Sequence, residues 1–463
     1  MSAAYTDFLA SKSQVVQPSG FEVDRLHADL FPFQADLVRW ALRQGRCALF
    51  ADTGLGKTRM QLEWARHVAD RTGGRVLILA PLAVAAQTVR EGERIGVGVT
   101  LCRESADVRT GVNITNYDRL HRFDPSAFVG IVLDESSCIK HHEAKTLATL
   151  ISAFGNTRYK LCATATPSPN DFTELGTHAE FLGICTRAEM LSEYFVHDAS
   201  ETQTWRLKGH ARQAFWGWVA SWGALLRRPS DLGYSDEGYD LPPLGVTHHR
   251  APTDAETLKR MGVLFAEQAR DLTERRNARK ASVGKRVEMV AELINSEPTE
   301  QWLVWGDYNA ETEGVTKLVP GALEVRGPDD PDEKERRLLA FANGEVRVLV
   351  TKSSIAGFGL NFQGCARMAF VGVSDSWEAY YQAVRRCYRF GQQRPVHVHI
   401  FASDAEGSVV ENLKRKETDA KHMSDELSAQ TREALRANVL KRAVRHTPYK
   451  PTKRMTLPQW LGG

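Results

Sequence analysis

Residues 47–58 read CALFADTGLGKT, and this stretch decides the fold. The apolar run at its start predicts a buried strand, and Gly54 and Gly56 allow the turn that precedes a predicted helix. Such a turn aims backbone amides at an anion, and the helix N-terminus adds the positive end of its dipole. Lys57 suits the β- and γ-phosphates of a nucleotide, and the Thr58 hydroxyl suits Mg²⁺. The segment therefore predicts a P-loop with these nucleotide-binding residues: Thr53, Gly54, Leu55, Gly56, Lys57 and Thr58.

Two regions of the chain alternate short apolar runs with helical patterns. In the first, about residues 46–167, the runs lie at 47–50, 76–79, 112–114, 129–133 and 159–162. In the second, about residues 301–401, they lie at 302–305, 346–350, 368–373 and 396–401. Continuous apolar runs are typical of strands buried on both faces of a parallel sheet. The sequence therefore predicts two α/β units with parallel sheets.

A pair of carboxylates ends one of the predicted strands, where residues 131–135 read IVLDE. Asp134 suits Mg²⁺, mostly through water, and Glu135 suits a role in orienting and polarising an attacking water. An acid pair at a strand end is common by itself. Its place after a P-loop makes it a specific indication of nucleotide hydrolysis.

Two arginines lie near the end of the second α/β region, where residues 382–392 read QAVRRCYRFGQ. On a predicted helix from Trp377 to Arg389, Arg386 and Arg389 are three residues apart and share a face. Two guanidinium groups on one face suit a γ-phosphate reached across a cleft, as arginine fingers do. The alternative interpretation is a structural basic face paired with acids.

The chain between the two α/β regions is rich in aromatic and basic residues. Four of the ten tryptophans lie here: Trp205, Trp216, Trp218 and Trp222. An aromatic cluster is more often core than a base-stacking surface, so packing is the favoured interpretation. A long helix is predicted from Ala255 to Ile294, and its basic stretch is either a solvated face or a nucleic-acid contact. Its candidate nucleic-acid-binding residues are Arg275, Arg276 and Arg279.

Charge and composition restrict the partners only locally, since the formal net charge is +3. Residues 431–454 contain eight Lys or Arg residues and one acid, which fits either a phosphate-binding tail or a solvated C-terminus. The seven cysteines form no CxxC pair and indicate a reducing cytosol. No apolar run reaches membrane-spanning length and the N-terminus lacks a signal-peptide core, so we expect a cytoplasmic protein without a membrane partner.

In their order along the chain, these motifs resemble those of superfamily 2 helicase-like ATPases of the Swi/Snf branch, over roughly residues 30–400. Residues 30–34 are similar to the Q motif, which places Gln34 on the adenine base. Residues 163–170 look like motif III, which couples the ATP site to the nucleic-acid track in the family. Residues 354–362 look like motif V and put Gly359 at the ATP site.

The resemblance also implies nucleic-acid contacts, because motifs Ia and Ib touch the nucleic-acid backbone in the family. The matching residues here are Pro81 in motif Ia and Thr115, Asn116 and Tyr117 in motif Ib. Motif II departs from the family pattern, since it reads Asp-Glu-Ser-Ser in place of Asp-Glu-Ala-His. The missing histidine usually links motif II to the coupling network, so we expect that link to run through Ser136 or Ser137.

The fold that the resemblance implies is α/β, with two tandem RecA-like P-loop domains and a helical insertion between them. Its expected parts are an N-terminal extension (1–29), the ATP-binding domain (30–180), a Trp-rich and basic insertion (181–295), the C-terminal helicase domain (296–403) and a basic helical tail (404–463). ATP and Mg²⁺ are the expected ligands, held in the interdomain cleft. The spacing is most similar to compact bacteriophage and prophage versions, which implies a bacterial host cytoplasm.

The function implied is DNA-dependent ATP hydrolysis that drives movement along duplex DNA. One alternative is a strand-separating helicase acting on RNA or single-stranded DNA. The other is a slow ATP-gated clamp that serves a nuclease or recombination partner. The intact acid pair and arginine pair argue against an inactive ATPase, and they leave a slow one open.

Overall fold

The computed structural model of the chain contains two parallel β-sheets with helices packed on their faces. It describes residues 16–26, 30–81, 84–139, 145–168, 171–197, 205–252, 280, 282–356, 361–372, 376–403, 415, 417–418, 425, 428–429 and 431–440. Four of the predicted binding residues lie outside the described residues: Arg275, Arg276, Arg279 and Gly359.

The first sheet has seven parallel strands. They are β1 (Arg46–Ala51), β2 (Arg75–Ala80), β3 (Val99–Leu101), β4 (Gly111–Asn116), β5 (Gly130–Asp134), β6 (Tyr159–Ala163) and β9 (Gly223–Leu226). Their spatial order is β3-β4-β2-β5-β6-β1-β9. Its helices are α1 (Pro32–Gln44), α2 (Lys57–Thr72), α3 (Ala85–Arg94), α4 (Lys145–Phe154), α5 (Leu175–Leu182), α6 (Arg187–Tyr194) and α7 (Arg212–Trp222).

Along the strands of this sheet, successive side chains point to opposite faces, and each face packs into its own core. In β1, Leu49 points to the side covered by α1 and α2, and Phe50 points to the side covered by α4, α5 and α7. Because both faces are covered, the central strands are mostly apolar, as the sequence predicts.

The second sheet has six parallel strands, in the order β10-β15-β14-β11-β13-β12. They are β10 (Leu244–Ala251), β11 (Trp302–Trp305), β12 (Ala322–Glu324), β13 (Val348–Thr351), β14 (Arg367–Phe370) and β15 (Val396–Ser403). Its helices are α8 (Val283–Ser296), α9 (Asn309–Leu318), α10 (Pro331–Ala342), α11 (Ser353–Ala356) and α12 (Trp377–Val384). Together the two sheets confirm the predicted α/β fold.

Arg286, one of the cations of the predicted long helix, is a buried structural residue on α8. Its guanidinium donates to Glu311 Oε1 at 2.8 Å, and neither side chain is exposed to solvent. It also donates to the carbonyl of Val371 beyond strand β14. A buried charge must be paired in this way, so Arg286 is not available to a phosphate backbone.

The segment between the two α/β regions contributes a strand to each sheet, which the sequence did not predict. Strand β9 pairs with β1, and β10 pairs with β15. Three of its tryptophans, Trp216, Trp218 and Trp222, are buried in the first domain, as the packing interpretation predicted. Trp205 lies on an antiparallel hairpin formed by β7 (Phe195–His197) and β8 (Trp205–Leu207), where it is partly buried and packs against the same core.

A helix at residues 431–440 returns to the first domain. Leu435 and Val439 are buried in the same core as α1. Arg432 donates to Asp231 Oδ1 at 3.2 Å, and Arg436 Nε donates to the Asp231 carbonyl at 2.8 Å. This part of the basic tail is therefore held against the protein. Within the described residues, no helix combines the length and the apolar character needed to cross a bilayer.

Candidate active site

A cleft with an internal volume of about 160 Å³ lies between the first sheet and the turn that follows α12. Nine of the predicted site residues line it: Thr53, Gly54, Gly56, Lys57, Thr58, Asp134, Glu135, Arg386 and Arg389. The structure therefore brings together residues from three separated motifs.

The P-loop connects β1 to α2 through two glycines with positive φ angles. Gly54 has φ 94° and Gly56 has φ 81°, values that glycine adopts without strain. Lys57 Nζ donates to the carbonyl of Ala51 at 2.9 Å. Burial lowers the pKa of Lys57, although Glu135 and other nearby acids oppose that change. The Lys57 ammonium group therefore lies at the cleft. A bound phosphate would replace its hydrogen bond to the Ala51 carbonyl or add a second contact.

Gln34 is hydrogen-bonded to the P-loop through the backbone of Leu55. Gln34 is buried, and its Nε2 donates to the Leu55 carbonyl at 2.9 Å while its Oε1 accepts from the Phe31 amide at 3.0 Å. A Cβ on Gly56 would lie 2.3 Å from Gln34 Nε2, so a larger residue there would displace the Gln34 amide. The Leu55 side chain is buried and lines a neighbouring cavity. Base recognition by Gln34 stays a prediction.

The two carboxylates lie at the end of β5. Asp134 Oδ1 accepts from Gln61 Nε2 at 2.7 Å, and burial together with Glu135 raises the pKa of Asp134 to about 6. Glu135 has φ 51°, and its Oε2 accepts from Thr164 Oγ1 at 3.4 Å. The hydroxyl of Thr58 and the carboxylate of Asp134 both face the cleft, and oxygen ligands of this kind fit Mg²⁺.

Arg386 and Arg389 reach the cleft from turns and not from a helix. The prediction of a helix to Arg389 was wrong, because α12 ends at Val384 and the carbonyl of Arg386 accepts from the amide of Phe362 at 2.8 Å. This hydrogen bond joins the turn to the segment before β14, so the helix does not continue through Arg386. Both guanidinium groups still line the cleft, so the prediction of two arginines facing it does not depend on the helix.

The electrostatics of these arginines indicate an anion site. Burial lowers the pKa of Arg386 to about 10, with Glu135 and Asp134 opposing. Burial, and then repulsion by Arg386 and Arg385, lowers the pKa of Arg389 to about 9. The Nε of Arg389 is buried without a hydrogen-bond partner. A buried donor without an acceptor is costly, and a phosphate oxygen would satisfy it.

Six further residues line the cleft and are absent from the predicted site: Arg59, Val84, Gln87, Glu91, Asn361 and Gln382. Gln382 Oε1 accepts from Arg386 at 3.4 Å, while its Nε2 is buried without a partner. Arg59 Nε donates to Glu91 at 2.5 Å, which ties α2 to α3 beside the P-loop. Gln382 lies within a recognised motif and could have been included. Helix α3 contains no recognised motif, and its residues come near the P-loop only through the packing of the first domain.

Motif II contacts a histidine from another part of the first domain. Ser136 Oγ lies 3.1 Å from His178 Nε2, and His178 comes from α5. Burial lowers the pKa of His178 to about 4, so its imidazole is neutral near pH 7. The ring meets Phe50 of β1 edge-on, with centroids 5.2 Å apart. Of the two serines expected to carry the link, Ser136 is therefore the one with an imidazole partner.

The predicted nucleic-acid-binding residues of motifs Ia and Ib lie at strand ends near motif II. The side chains of Thr115 and Asn116 are buried, and they bond to the Cys102 carbonyl at 2.8 Å and the Arg119 amide at 3.0 Å. Tyr117 donates to the carbonyl of Asp134 at 2.8 Å. Pro81 is half-buried directly after β2. Their contacts with nucleic acid stay a prediction. We expect the protein backbone at these strand ends to contact the phosphates.

Comparison with known proteins gives two domain matches. Residues 33–205 match the family model of the SNF2-related domain, and residues 285–391 match that of the helicase conserved C-terminal domain. The bifunctional helicase and thymine dioxygenase JBP2 of Leishmania braziliensis is 36% identical over 100 residues, and that of Leishmania infantum is 34% identical over 100 residues. Each of these matches covers 21% of this chain and 9% of the relative's length.

Proposed function

The chain belongs to the SNF2-like family of superfamily 2 helicase-like proteins, and from that premise we propose that it hydrolyses ATP to move along duplex DNA. The observation that carries the proposal is the cleft itself. It joins a P-loop lysine, an acid pair, the buried Arg386 and the half-buried Arg389, and Nε of Arg389 has no hydrogen-bond partner. A nucleotide triphosphate would supply the negative charge that this arrangement lacks.

The predicted residues of the cleft then have chemical roles. Lys57 binds the β- and γ-phosphates, and Glu135 orients the attacking water. Arg386 and Arg389 stabilise the negative charge that develops on the transferred phosphoryl group. Thr58 and Asp134 would hold Mg²⁺, which neutralises phosphate charge when it is bound. These roles make the cleft a site of hydrolysis and not of binding alone.

Duplex DNA is the proposed track because the described chain offers little that would replace base stacking at a fork. Trp216, Trp218 and Trp222 are buried in the core and cannot form a wedge. The alternative, a strand-separating helicase, is favoured by one observation: Trp205 lies half-buried on the β7–β8 hairpin, where an aromatic ring could stack on a base. Val196 of the same hairpin is 40% exposed.

We further propose that the protein works in a reducing compartment such as the cytoplasm, and that it serves a nuclease or recombination protein. All seven cysteines are free thiols, which fits such a compartment. The alternative function, a slow ATP-gated clamp that recruits the same partners, would use the same cleft and would hydrolyse ATP more slowly.

The decisive experiment is a steady-state ATPase assay with duplex DNA, single-stranded DNA and RNA in parallel. We expect duplex DNA to give the largest stimulation, and the Lys57→Ala variant to remove hydrolysis because no other P-loop cation reaches the γ-phosphate. The control variant Lys317→Ala changes an exposed lysine on α9, outside the cleft, and should leave the rate unchanged. Stimulation by single strands or RNA alone would overturn the duplex proposal. Near-normal turnover by Lys57→Ala would overturn the site.

A further inference from the structure

The P-loop residue Asp52 is held by two side chains of the second domain. Tyr381 Oη donates to Asp52 Oδ1 at 2.7 Å, and Arg385 Nη2 donates to Asp52 Oδ2 at 3.2 Å. The amide of Thr53 also donates to Oδ1 at 2.6 Å. Both oxygens of the carboxylate are therefore used, and two of the three bonds cross the domain boundary.

The pair between Asp52 and Arg385 is ionised and only partly exposed to solvent. Burial raises the pKa of Asp52, but Arg385 and the hydrogen bonds outweigh it, so the pKa lies below its ordinary value. Burial opposes the charge on Arg385, and Asp52 outweighs that effect and raises its pKa. The guanidinium also lies 5.1 Å from the ring centroid of Tyr381 and 5.6 Å from that of Tyr388.

These contacts lie at the start of the turn that carries the two arginines of the cleft. Helix α12 ends at Val384, and beyond it the Arg386 amide donates to the Ala383 carbonyl at 3.2 Å, while the Arg389 amide bonds only within the turn, to the Cys387 carbonyl at 3.1 Å. At the other end of the turn, Phe390 abuts the P-loop. A Cβ on Gly54 would lie 2.9 Å from Phe390 Cβ. The P-loop thus contacts the turn on both sides of its two arginines.

We propose that Asp52, Tyr381 and Arg385 form an interdomain clamp that positions Arg386 and Arg389 over the phosphates of the nucleotide. The clamp rests on the proposed function, since it presumes that these arginines act on ATP. Asp52 and Arg385 are positioning residues, because their charges are satisfied by each other. A misplaced arginine finger loses contacts that form in the transition state, so the clamp acts on kcat more than on KM.

A double-mutant cycle tests the clamp with the whole 463-residue chain and its best nucleic-acid activator. The variants are Asp52→Asn, Arg385→Gln and the two combined. We expect each single variant to lower kcat about tenfold with KM changed less than about threefold, and the double variant to be no worse than the more damaged single one. Single variants with the kcat of the wild type, or effects that multiply in the double variant, would overturn the clamp.

A matched control breaks an ion pair of the same kind within the second domain. Arg367 Nε contacts Glu297 Oε2 at 3.0 Å, and both side chains are partly exposed, as are those of Asp52 and Arg385. The Arg367→Gln variant should keep the kcat of the wild type. A drop as large as that of Arg385→Gln would mean that general destabilisation, and not positioning, explains the effect, which counts against the clamp.

Hydrogen–deuterium exchange without nucleotide supplies a readout that does not need activity. In Asp52→Asn, the amides of residues 385–392 should exchange faster than in the wild type, although the substitution is in the other domain. Unchanged exchange there would overturn the clamp. If the wild type hydrolyses no ATP, the proposed function fails, and this measurement still decides whether the clamp exists.

Discussion

Glu135 has a backbone conformation that few residues other than glycine adopt. Its φ angle is 51°, and it is the one non-glycine residue with positive φ among the described residues. Such a conformation persists only where the surroundings enforce it, and it is common at functional sites. Here β5 ends at the preceding residue, and the Glu135 carbonyl accepts from the amide of Cys138 at 3.2 Å. The bend turns the carboxylate towards the cleft.

The Glu135→Gln variant should bind ATP with near-normal affinity and fail to hydrolyse it. The amide keeps the shape of the side chain and loses the carboxylate that orients water. Fluorescent-nucleotide binding and steady-state ATPase assays, side by side, measure the two properties. The Glu93→Gln variant, on the exposed side of α3, serves as the control. Loss of ATP binding in Glu135→Gln would show a structural role instead.

The Arg389→Ala variant should lower kcat far more than it weakens nucleotide affinity. An arginine finger acts on charge that develops in the transition state and contributes on the order of 10³-fold or more in rate. The control is Arg394→Ala, which breaks an ion pair with Glu300 on the surface of the second domain. A pure loss of affinity with unchanged kcat would make Arg389 a ground-state binder, and Arg386 would then be the candidate finger.

At the scale of single residues, the sequence predicts those site residues that occur in contiguous motifs. Lys57, Thr58 and Asp134 could be placed because each motif has a strand directly before it and a known chemistry. Gln87 and Glu91 could not, because α3 reaches the cleft only through the packing of the first domain. His178 lies 42 residues from Ser136, so no spacing rule indicates their contact.

At the scale of elements, strong apolar periodicity predicts the strands well and their ends poorly. The central strands β1, β2, β5 and β6 were predicted, since both of their faces are buried. Strand β10 was not, because it forms an edge of its sheet and most of its side chains are exposed. The end of α12 depends on a hydrogen bond to distant Phe362, which local sequence does not encode.

The buried histidine of α5 should make the first domain sensitive to acid. The pKa of His178 falls from 6.5 to about 4 on folding because of burial. A depressed pKa gives stability that is present above the unfolded-state value and is lost as the pH falls from 6.5 towards 4. Near pH 5 this loss is about 2 kcal/mol, at about 1.4 kcal/mol per pH unit.

The corresponding experiment compares the Tm of the wild type and the His178→Gln variant at two pH values. Glutamine does not titrate, so the Tm deficit of the variant at about pH 7.5 should shrink by several degrees at about pH 5. The exposed His121→Gln change serves as the control. An equal deficit at both pH values would show that protonation of His178 does not limit stability.

At the scale of the whole molecule, the two domains meet through the nucleotide site itself. Besides the clamp, Thr166 Oγ1 of motif III lies 3.5 Å from Glu378 Oε1 at the start of α12. The Thr166 amide donates to Thr164 Oγ1, which in turn contacts Glu135. A chain of polar contacts therefore runs from the Glu135 carboxylate into the second domain. Under the proposed function, this chain would link hydrolysis to the relative position of the domains.

A motor that follows the phosphate backbone gains its grip from charge and needs little base readout. The strand ends that carry Pro81 and Tyr117 offer such an edge, and Tyr117 bonds to the carbonyl of Asp134 beside the acid pair. We therefore expect duplex DNA to stimulate hydrolysis with little sequence preference and with a steep loss at high salt. ATPase titrations at several salt concentrations measure this. A rate that is insensitive to salt would contradict a grip by phosphate contacts.

Under the proposed function, the protein would move along duplex DNA without separating its strands. Movement along intact duplex DNA displaces a third strand wound in its groove, whereas opening a fork needs a wedge that replaces base stacking. The described chain buries three of its clustered tryptophans and leaves Trp205 as the candidate wedge. We expect ATP-driven displacement of a triplex-forming strand and poor unwinding of a forked duplex, measured side by side in one buffer. Lys57→Ala should abolish displacement, and Trp205→Ala should leave it intact. Efficient fork unwinding without triplex displacement, lost in Trp205→Ala, would instead establish strand separation with this hairpin as its wedge.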